Sequence, residues 1–207
     1  MAKRLASCKE EKRGRLGLGH KAGSGRQRIL NLHNRQQGRS VDLRLLRRIV
    51  QALLQETWRE GSFDLGIYLV AAPEMTRLNE AFLRHKGSTD VITFDYSAKL
   101  GQTSRLSSSG ATAGCAKDRR DACPALLHGE IFVCLDEAVC QARRFHTSWQ
   151  SELVRYVVHG VLHLLGYDDR DRRARRRMRV AENAQVRRLA HQFVLRTLSR
   201  PRIGSRT

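Results

Sequence analysis

The sequence lacks the usual features of a secreted or membrane-embedded protein. Its five cysteines are odd in number and include no Cys-x-x-Cys pair, which argues against a disulfide framework and a thiolate zinc site. No apolar run approaches the roughly 18 residues of a membrane-spanning helix, and the N-terminus has no apolar centre typical of a secretory signal. A cytoplasmic protein without a membrane partner is therefore expected.

Acidic residues are scarce, since the 207 residues contain 20 Asp and Glu against 39 Lys and Arg, a formal net charge of +19. Most of the excess lies in residues 1–28, with nine Lys or Arg and two Glu, and in residues 170–207, with thirteen Arg and two acids. Because each Lys or Arg that meets a phosphate releases a counterion, these segments predict a polyanionic partner such as RNA or the ribosome. The arginines predicted to bind RNA are Arg172, Arg173, Arg176 and Arg177. The alternative is a solvated helix face or an unstructured tail.

Composition also divides the chain into an N-terminal arm, one domain that contains an insertion, and a short tail. Residues 1–28 have no apolar period and predict a disordered basic arm; they also fit an organelle transit peptide, an interpretation that two adjacent glutamates weaken. Residues 97–126 are rich in Ser, Gly, Ala and Thr, which predicts a flexible insertion within one domain that spans residues 29–200. Residues 201–207 are expected to be a short tail.

Apolar periodicity predicts both helices and strands in this domain. Helical spacing is found in residues 40–58, 73–83 and 136–145, and again in two helices on either side of residue 166. Alternation or short apolar runs predict strands at residues 63–70, 91–94 and 130–135. Helices and strands without strict alternation predict an α+β fold, a small mixed β-sheet covered by helices.

Finer expectations concern helix caps and core residues. Ser40 or Asp42 is predicted to cap the first helix, and Thr147 with Gln150 to form a capping box before the helix that precedes residue 166. Helical spacing places Phe82, Ala190 and Val194 among the side chains facing the core. The helix before residue 166 is apolar almost all round, so it is expected to be central.

That central helix carries the most informative pattern in the sequence. His159 and His163 are four residues apart, so both imidazoles leave one helix face about a turn apart and can bind one ion. Gly166 can end the helix in the left-handed conformation, and the reversed chain then brings Asp169 back toward the imidazoles, with Asp168 as the neighbouring candidate. Two nitrogens and one carboxylate oxygen suit Zn2+ and leave a fourth position for water, as in a catalytic site. The alternative is an ordinary pair of polar residues on an amphipathic helix.

The segment His159 to Asp169, His-Gly-Val-Leu-His-Leu-Leu-Gly-Tyr-Asp-Asp, resembles the signature of the YbeY family and matches ten of its eleven positions. Where the family has a third histidine, this chain has Asp169. Further segments resemble the family in order, namely Leu78-Asn79 with Ser88 to Phe94, His128 to Val133, and Met178 with Glu182. The resemblance covers most of residues 30–190 and implies a metal-dependent endoribonuclease of ribosomal RNA maturation.

The resemblance also implies a substrate, partners and further site residues. It implies action at the 3′ end of small-subunit ribosomal RNA and on defective ribosomes, with ribosomal proteins or an assembly GTPase as partners. The family uses an arginine between the Leu-Asn and Thr-Asp motifs to stabilise negative charge; the matching position is Leu83, so the adjacent Arg84 is the candidate, followed by the next two residues. Independently of the resemblance, Glu130 and Asp90 are candidates for orienting water or a ligand, although carboxylates at strand ends more often cap and pair.

Two other functions remain open. The spacing His-x-x-x-His-x-x-Gly-x-x-Asp is also that of metzincin peptidases, whose general base is the glutamate directly after the first histidine. This chain has Gly160 at that position, so peptide hydrolysis would lack its proton acceptor. The third hypothesis is a non-catalytic ribosome assembly factor with a structural metal, for which a fourth, open coordination position would have no use.

Overall fold

The computed structural model describes residues 3–5, 27–59, 61–97 and 126–199, with the backbone alone for residues 3–5. Most of the predicted N-terminal arm, nearly all of the predicted insertion at 97–126 and the tail at 201–207 lie outside these residues. At the start of the domain, Arg28 is already the first residue of a strand, just before the predicted boundary. Within the predicted arm, Lys3–Leu5 pair as a short strand at the sheet edge.

The described strands form one mixed sheet. In chain order they are β1 (Lys3–Leu5), β2 (Arg28–Asn34), β3 (Phe63–Val70), β4 (Val91–Asp95) and β5 (Leu127–Cys134). Across the sheet the order is β1-β4-β5-β3-β2, in which β4 runs antiparallel to β5 and every other neighbouring pair is parallel. This confirms the mixed sheet that the sequence predicted.

The helices of the described residues are α1 (Leu43–Thr57), α2 (Ala72–Leu78), α3 (Leu135–Arg144), α4 (Trp149–Leu164) and α5 (Arg172–Gln192). A π-helical turn, Asn79–Leu83, continues α2, and a 3-10 turn, Leu195–Leu198, follows α5. None of these helices is both long and apolar enough to cross a membrane.

Side-chain caps fix where the helices begin. The Asp42 carboxylate accepts the N–H groups of Arg44 and Leu45, so Asp42 is the predicted cap of α1. Helix α4 begins after Ser148, whose hydroxyl accepts the N–H of Ser151, and not at the predicted cap Thr147. The Thr147 hydroxyl instead donates to the carboxylate of Glu152, which is why it does not cap the backbone.

The two faces of the sheet are packed differently. On one face, β3 points Leu65, Ile67 and Leu69 into the main core, which α1, α4 and α5 complete. On the other face, Met75 of α2 and Phe132 of β5 belong to a smaller apolar cluster. Because successive strand residues point to opposite faces, the alternation in β3 separates the two clusters. The predicted α+β architecture is confirmed, with most of the helical cover on one side.

Three apolar side chains predicted to face the core lie at the surface instead. Phe82 is 38% exposed because the backbone widens into the π-helical turn, which breaks the helical spacing. Val194 is 70% exposed because α5 ends at Gln192 and the backbone of Phe193 is extended. Ala190 is exposed because α5 buries Val186 and Leu189 in this part of the helix, and the buried face does not extend to the next residue.

Helix α4 is central, as predicted, and lies close to the sheet. Twelve of its sixteen residues are buried, which leaves little of it in contact with solvent. At Gly160 an added Cβ would lie 2.6 Å from Cγ2 of Ile131 on β5 and 3.3 Å from Oγ1 of Thr93 on β4. The missing side chain therefore lets the helix approach the strands, and this contact fixes the height of His159 and His163 above the sheet.

Candidate metal centre

The C-terminus of α4 ends in a glycine turn, which reverses the chain beside the second histidine. Gly166 has a φ of 91°, and its N–H donates to the carbonyl of His163 at 3.0 Å. The N–H of Tyr167 donates to the carbonyl of Leu162, also at 3.0 Å. This pair of bonds is the Schellman motif, which needs the left-handed conformation that glycine adopts without strain. The predicted role of Gly166 is thereby confirmed.

The turn brings three potential ligands together. The Nε2 atoms of His159 and His163 lie 3.1 Å apart. Asp169 supplies a carboxylate oxygen, and the three ligand atoms all lie within 4.8 Å of one another. His163 is fully buried, whereas His159 and Asp169 are half-buried. Among the described residues, the structure thus joins the three side chains that the sequence singled out.

The Nδ1 nitrogen of each imidazole ring already has a hydrogen-bond partner. Nδ1 of His159 lies 2.8 Å from a carboxylate oxygen of Glu182, and Nδ1 of His163 lies 3.1 Å from the carbonyl oxygen of Tyr167. Since both partners are acceptors, they assign the proton to Nδ1 and leave a lone pair on each Nε2. Two lone pairs 3.1 Å apart repel unless a proton or a cation lies between them. The donor set therefore fits a divalent ion.

Burial keeps His163 neutral. Desolvation first, and then the neighbouring His159, lower the pKa of His163 below its ordinary value, and the opposing effects of Asp169 and the Tyr167 carbonyl do not cancel this. A lowered pKa means that the ring stays unprotonated at neutral pH. The ring is consequently available to a metal ion without first losing a proton.

The two adjacent aspartates are held differently. One carboxylate oxygen of Asp168 accepts the N–H groups of Asp169 and Arg170, at 2.8 and 3.2 Å, so this side chain stabilises the turn. The guanidinium of Arg175 donates to the backbone carbonyl of Asp169 through Nε and Nη2, with a distance of 3.0 Å from Nη2 to the oxygen. This contact holds the loop from the other side. Asp169, and not Asp168, is the carboxylate directed at the imidazoles.

Glu182, on α5, connects the first histidine to an arginine. One of its carboxylate oxygens meets Nδ1 of His159 and the other accepts Nη1 of Arg155 at 2.5 Å, and Arg155 also donates to Asn183. Burial alone would raise the pKa of Glu182, but the hydrogen bonds from His159 and Arg155 outweigh it and hold the pKa below its ordinary value. Glu182 is therefore an anion that orients His159.

A cleft of about 250 Å3 opens beside these residues. Its wall includes His159 and Asp169, and three arginines line it as well, namely Arg155, Arg175 and Arg179. Asp90, at the start of β4, also lines it. The cleft thus places three arginines, together with acidic side chains, beside two members of the predicted ligand set.

Arg84 is not among the residues that line this cleft. It follows the π-helical turn, is exposed and has a left-handed φ of 54°. The preceding Leu83, the position that the resemblance matched to an arginine, packs against the smaller apolar cluster on the other face of the sheet. The loop before β4 therefore directs no described arginine into the cleft.

Glu130 lies on the opposite side of the sheet from the histidines. Its neighbour on β5, Ile131, faces Gly160 of α4, so Glu130 points away from that helix. There its two carboxylate oxygens accept the hydroxyl groups of Tyr68 and Tyr96, each at 3.0 Å. The structure does not bring this carboxylate to the ligand set.

The arginines predicted to bind RNA are on α5. Arg172, Arg173, Arg176 and Arg177 are all exposed, in the first two turns of the helix. Sequence reasoning overlooked the roles of Arg155 and Arg175, which hold Glu182 and the Asp169 loop. Both contacts join elements that only the tertiary fold brings together. The sequence did contain a signal for Glu182, because it lies four residues after Met178 in a segment that resembles the family.

Comparisons with known proteins identify the family that this chain resembles. The family model described as endoribonuclease YbeY matches residues 31–190. Endoribonuclease YbeY of Chlorobium phaeovibrioides is 32% identical over 158 residues, 76% of this chain and 88% of that protein. The protein of the same name from Salinibacter ruber is 31% identical over 156 residues, 74% of this chain and 87% of that protein. A solution structure from Thermotoga maritima is similar with a TM-score of 0.51 at 22% identity, over 86% of this chain and all of that one.

The fold and the ligand cluster together define an α+β protein in which three clustered side chains have the geometry to hold a metal ion. The chain belongs to the endoribonuclease YbeY family, whose name describes hydrolases that cut RNA internally. This confirms the resemblance drawn from the histidine motif.

Proposed function

We propose that the protein is a zinc-dependent endoribonuclease that cuts single-stranded RNA. The observation that carries this proposal is the convergence of the Nε2 atoms of His159 and His163 and the Asp169 carboxylate at an arginine-lined cleft. Three ligands of this kind suit a catalytic zinc ion with an open fourth position. Family membership supports RNA as the substrate.

The chain's own residues prepare this site. Glu182 and the Tyr167 carbonyl orient the two rings, and Arg175 holds the loop that carries Asp169. When bound, zinc would activate a water molecule, either as the nucleophile or as a base toward the neighbouring 2′-hydroxyl, and would polarise a phosphoryl oxygen. Because α4 is packed tightly on the sheet, the ligands need little reorganisation before reaction.

The arginine face of α5 is proposed to bind the RNA strand. Arg172, Arg173, Arg176 and Arg177 are exposed, and α5 also contributes Arg175 and Arg179 to the cleft wall. A strand whose phosphates lie along this face would therefore reach the ligand set. Such contacts depend on charge and not on base sequence, so binding should weaken at high salt.

The proposed role in the cell is ribosomal RNA processing in the cytoplasm. We infer maturation of the 3′ end of small-subunit ribosomal RNA and removal of defective ribosomes, with the ribosome, ribosomal proteins or an assembly GTPase as partners. Family membership and the net charge of +19 support this inference.

The two other hypotheses are less well supported. A peptidase would need a carboxylate after the first histidine, and Gly160 at that position faces the sheet and not the cleft. A structural metal in an assembly factor would need four protein ligands, whereas three are clustered among the described residues and a cleft opens beside them.

The test is a cleavage assay on the purified full-length chain. The protein is stripped with a chelator, reloaded with Zn2+, and given single-stranded RNA ending in a small-subunit 3′ sequence, the same RNA as a duplex, and casein. Internal cleavage of the single strand alone is expected, with activity lost on stripping and restored by zinc. Casein hydrolysis without RNA cleavage would support the peptidase, and ribosome binding without either activity would support the assembly factor.

A further inference from the structure

The proposed reaction places extra negative charge on a phosphate, which a cation beside the ligand set would stabilise. The loop before β4 does not supply one to the cleft wall. Leu83 packs into the smaller apolar cluster, and Arg84 is exposed outside the cleft. The cation must then come from another element of the cleft wall.

Three arginines line the cleft, and two of them are already engaged. Arg155 is bound to Glu182 and Asn183, which neutralises its charge and fixes its guanidinium. Arg175 uses two of its nitrogens on the carbonyl of Asp169. Both arginines therefore support the ligand set from behind.

Arg179 differs from these two. It lines the cleft and is exposed, and it makes no hydrogen bond or ion pair with any of the residues in the described ranges. It lies four residues after Arg175 and three before Glu182, so it shares the helix face that holds the ligand set together. Its five N–H donors and its charge are available to a ligand in the cleft.

We propose that Arg179 binds the phosphate of the substrate RNA beside the ligand set, as the cation that the loop before β4 does not supply. This inference rests on the proposed function. A guanidinium forms two parallel hydrogen bonds with a phosphate, so it both positions the group and offsets its charge. The phosphate-binding cation thus comes from α5, C-terminal to the metal motif.

The experiment compares Arg179→Gln and Arg179→Lys with Arg187→Gln in the zinc-loaded full chain. Arg187 is an exposed arginine of the same helix outside the cleft, so its substitution removes the same charge. Binding of inorganic phosphate is measured by calorimetry, zinc content by elemental analysis, and kcat and KM on single-stranded RNA. Arg179→Gln should weaken phosphate binding by about 10-fold or more and lower kcat by about 100- to 1000-fold, with zinc retained and KM raised by no more than about 10-fold. Arg179→Lys should recover part of both, and Arg187→Gln should resemble the wild type.

Three other outcomes would overturn either this inference or the proposed function. If Arg179→Gln binds phosphate and turns over RNA as Arg187→Gln does, Arg179 does not bind the phosphate. If both Arg179 variants lose zinc, the residue supports the ligand set, which also overturns the inference. If the wild type fails to cut RNA while Arg179→Gln still weakens phosphate binding, the proposed function fails but the phosphate site stands.

Discussion

The two faces of the sheet hold carboxylates in opposite conditions. On the helical face, Asp169 is fixed through its backbone, and its carboxylate lies near two imidazole nitrogens that carry lone pairs. On the other face, both oxygens of Glu130 accept a tyrosine hydroxyl. Burial, followed by the charge of Glu130, raises the pKa of Tyr68, which keeps that hydroxyl a donor. A carboxylate with satisfied oxygens holds the structure together, whereas one directed at other ligand atoms is ready to bind an ion.

The largest expected effect separates Asp169 from its neighbour. Asp169→Ala should lose zinc and lower RNA cleavage by about 1000-fold, because several kcal/mol of transition-state stabilisation leave with the ion. Asp168→Asn should keep both, since an amide oxygen can still accept the two N–H groups of the turn. Asp169→His should retain zinc and shift the pH-rate profile toward acid, because a neutral ligand makes the ion a stronger Lewis acid. Metal analysis with cleavage rates checks this, and zinc loss from Asp168→Asn alone would reverse the assignment.

The next prediction concerns the hydrogen bond between Nδ1 of His159 and the carboxylate of Glu182. Glu182→Gln should weaken zinc binding by about 10- to 100-fold, because the anion that orients the His159 ring is lost. Competition with a zinc-binding dye measures the affinity. Glu56→Gln, at an exposed carboxylate on α1, is the matched control. Equal affinities in the two variants would mean that the ring is held by packing alone.

The exposed arginines of α5 should make the affinity for RNA depend on salt concentration. Replacing Arg172, Arg173, Arg176 and Arg177 by Gln should weaken binding to all RNA sequences. It should also flatten the plot of log K against log salt, by roughly one unit for each phosphate that the variant no longer neutralises. Fluorescence anisotropy at several salt concentrations gives the slope. An unchanged slope would show that these arginines face only solvent.

A smaller effect is expected on the opposite face. Glu130→Gln should leave zinc binding intact and destabilise the fold by about 1 kcal/mol, because neither bond is charge-assisted any longer and the amide nitrogen cannot accept a hydroxyl. Removing the negative charge should also lower the pKa of Tyr68 toward its ordinary value, which ultraviolet titration detects. Loss of zinc from this variant would contradict the separation of the two faces.

The smallest effect is a pH dependence of the metal-free protein. The folded pKa of His163 is lowered, chiefly by burial, whereas the unfolded chain should take up this proton near pH 6.5. Stability is therefore complete above pH 6.5 and falls as the pH drops toward the folded pKa, by at most about 1.4 kcal/mol per pH unit. Urea unfolding at several pH values should show a shallower dependence for His163→Asn. Identical slopes would mean that His163 does not remain neutral.

The sequence predicted the ligand cluster because all its determinants are local. Helical spacing joins His159 to His163, and the glycine turn determines the return of Asp169. The Arg155–Glu182 and Arg175–Asp169 contacts could not be predicted in the same way, because they depend on how α5 packs against α4 and its loop. Glu130 was a candidate as a carboxylate at a strand end, with pairing as the alternative, and that position alone does not reveal what packs against each face of the strand.

The contact at Gly160 limits how this chain can change by mutation. A glutamate there would give the peptidase spacing, but even its Cβ would overlap Ile131. Acquiring that glutamate would therefore require a smaller side chain at residue 131 or a shift of α4 away from β5, and such a shift would displace the histidines. The closeness of α4 to β5 thus acts as an evolutionary barrier between two hydrolase chemistries that share the same ligand spacing.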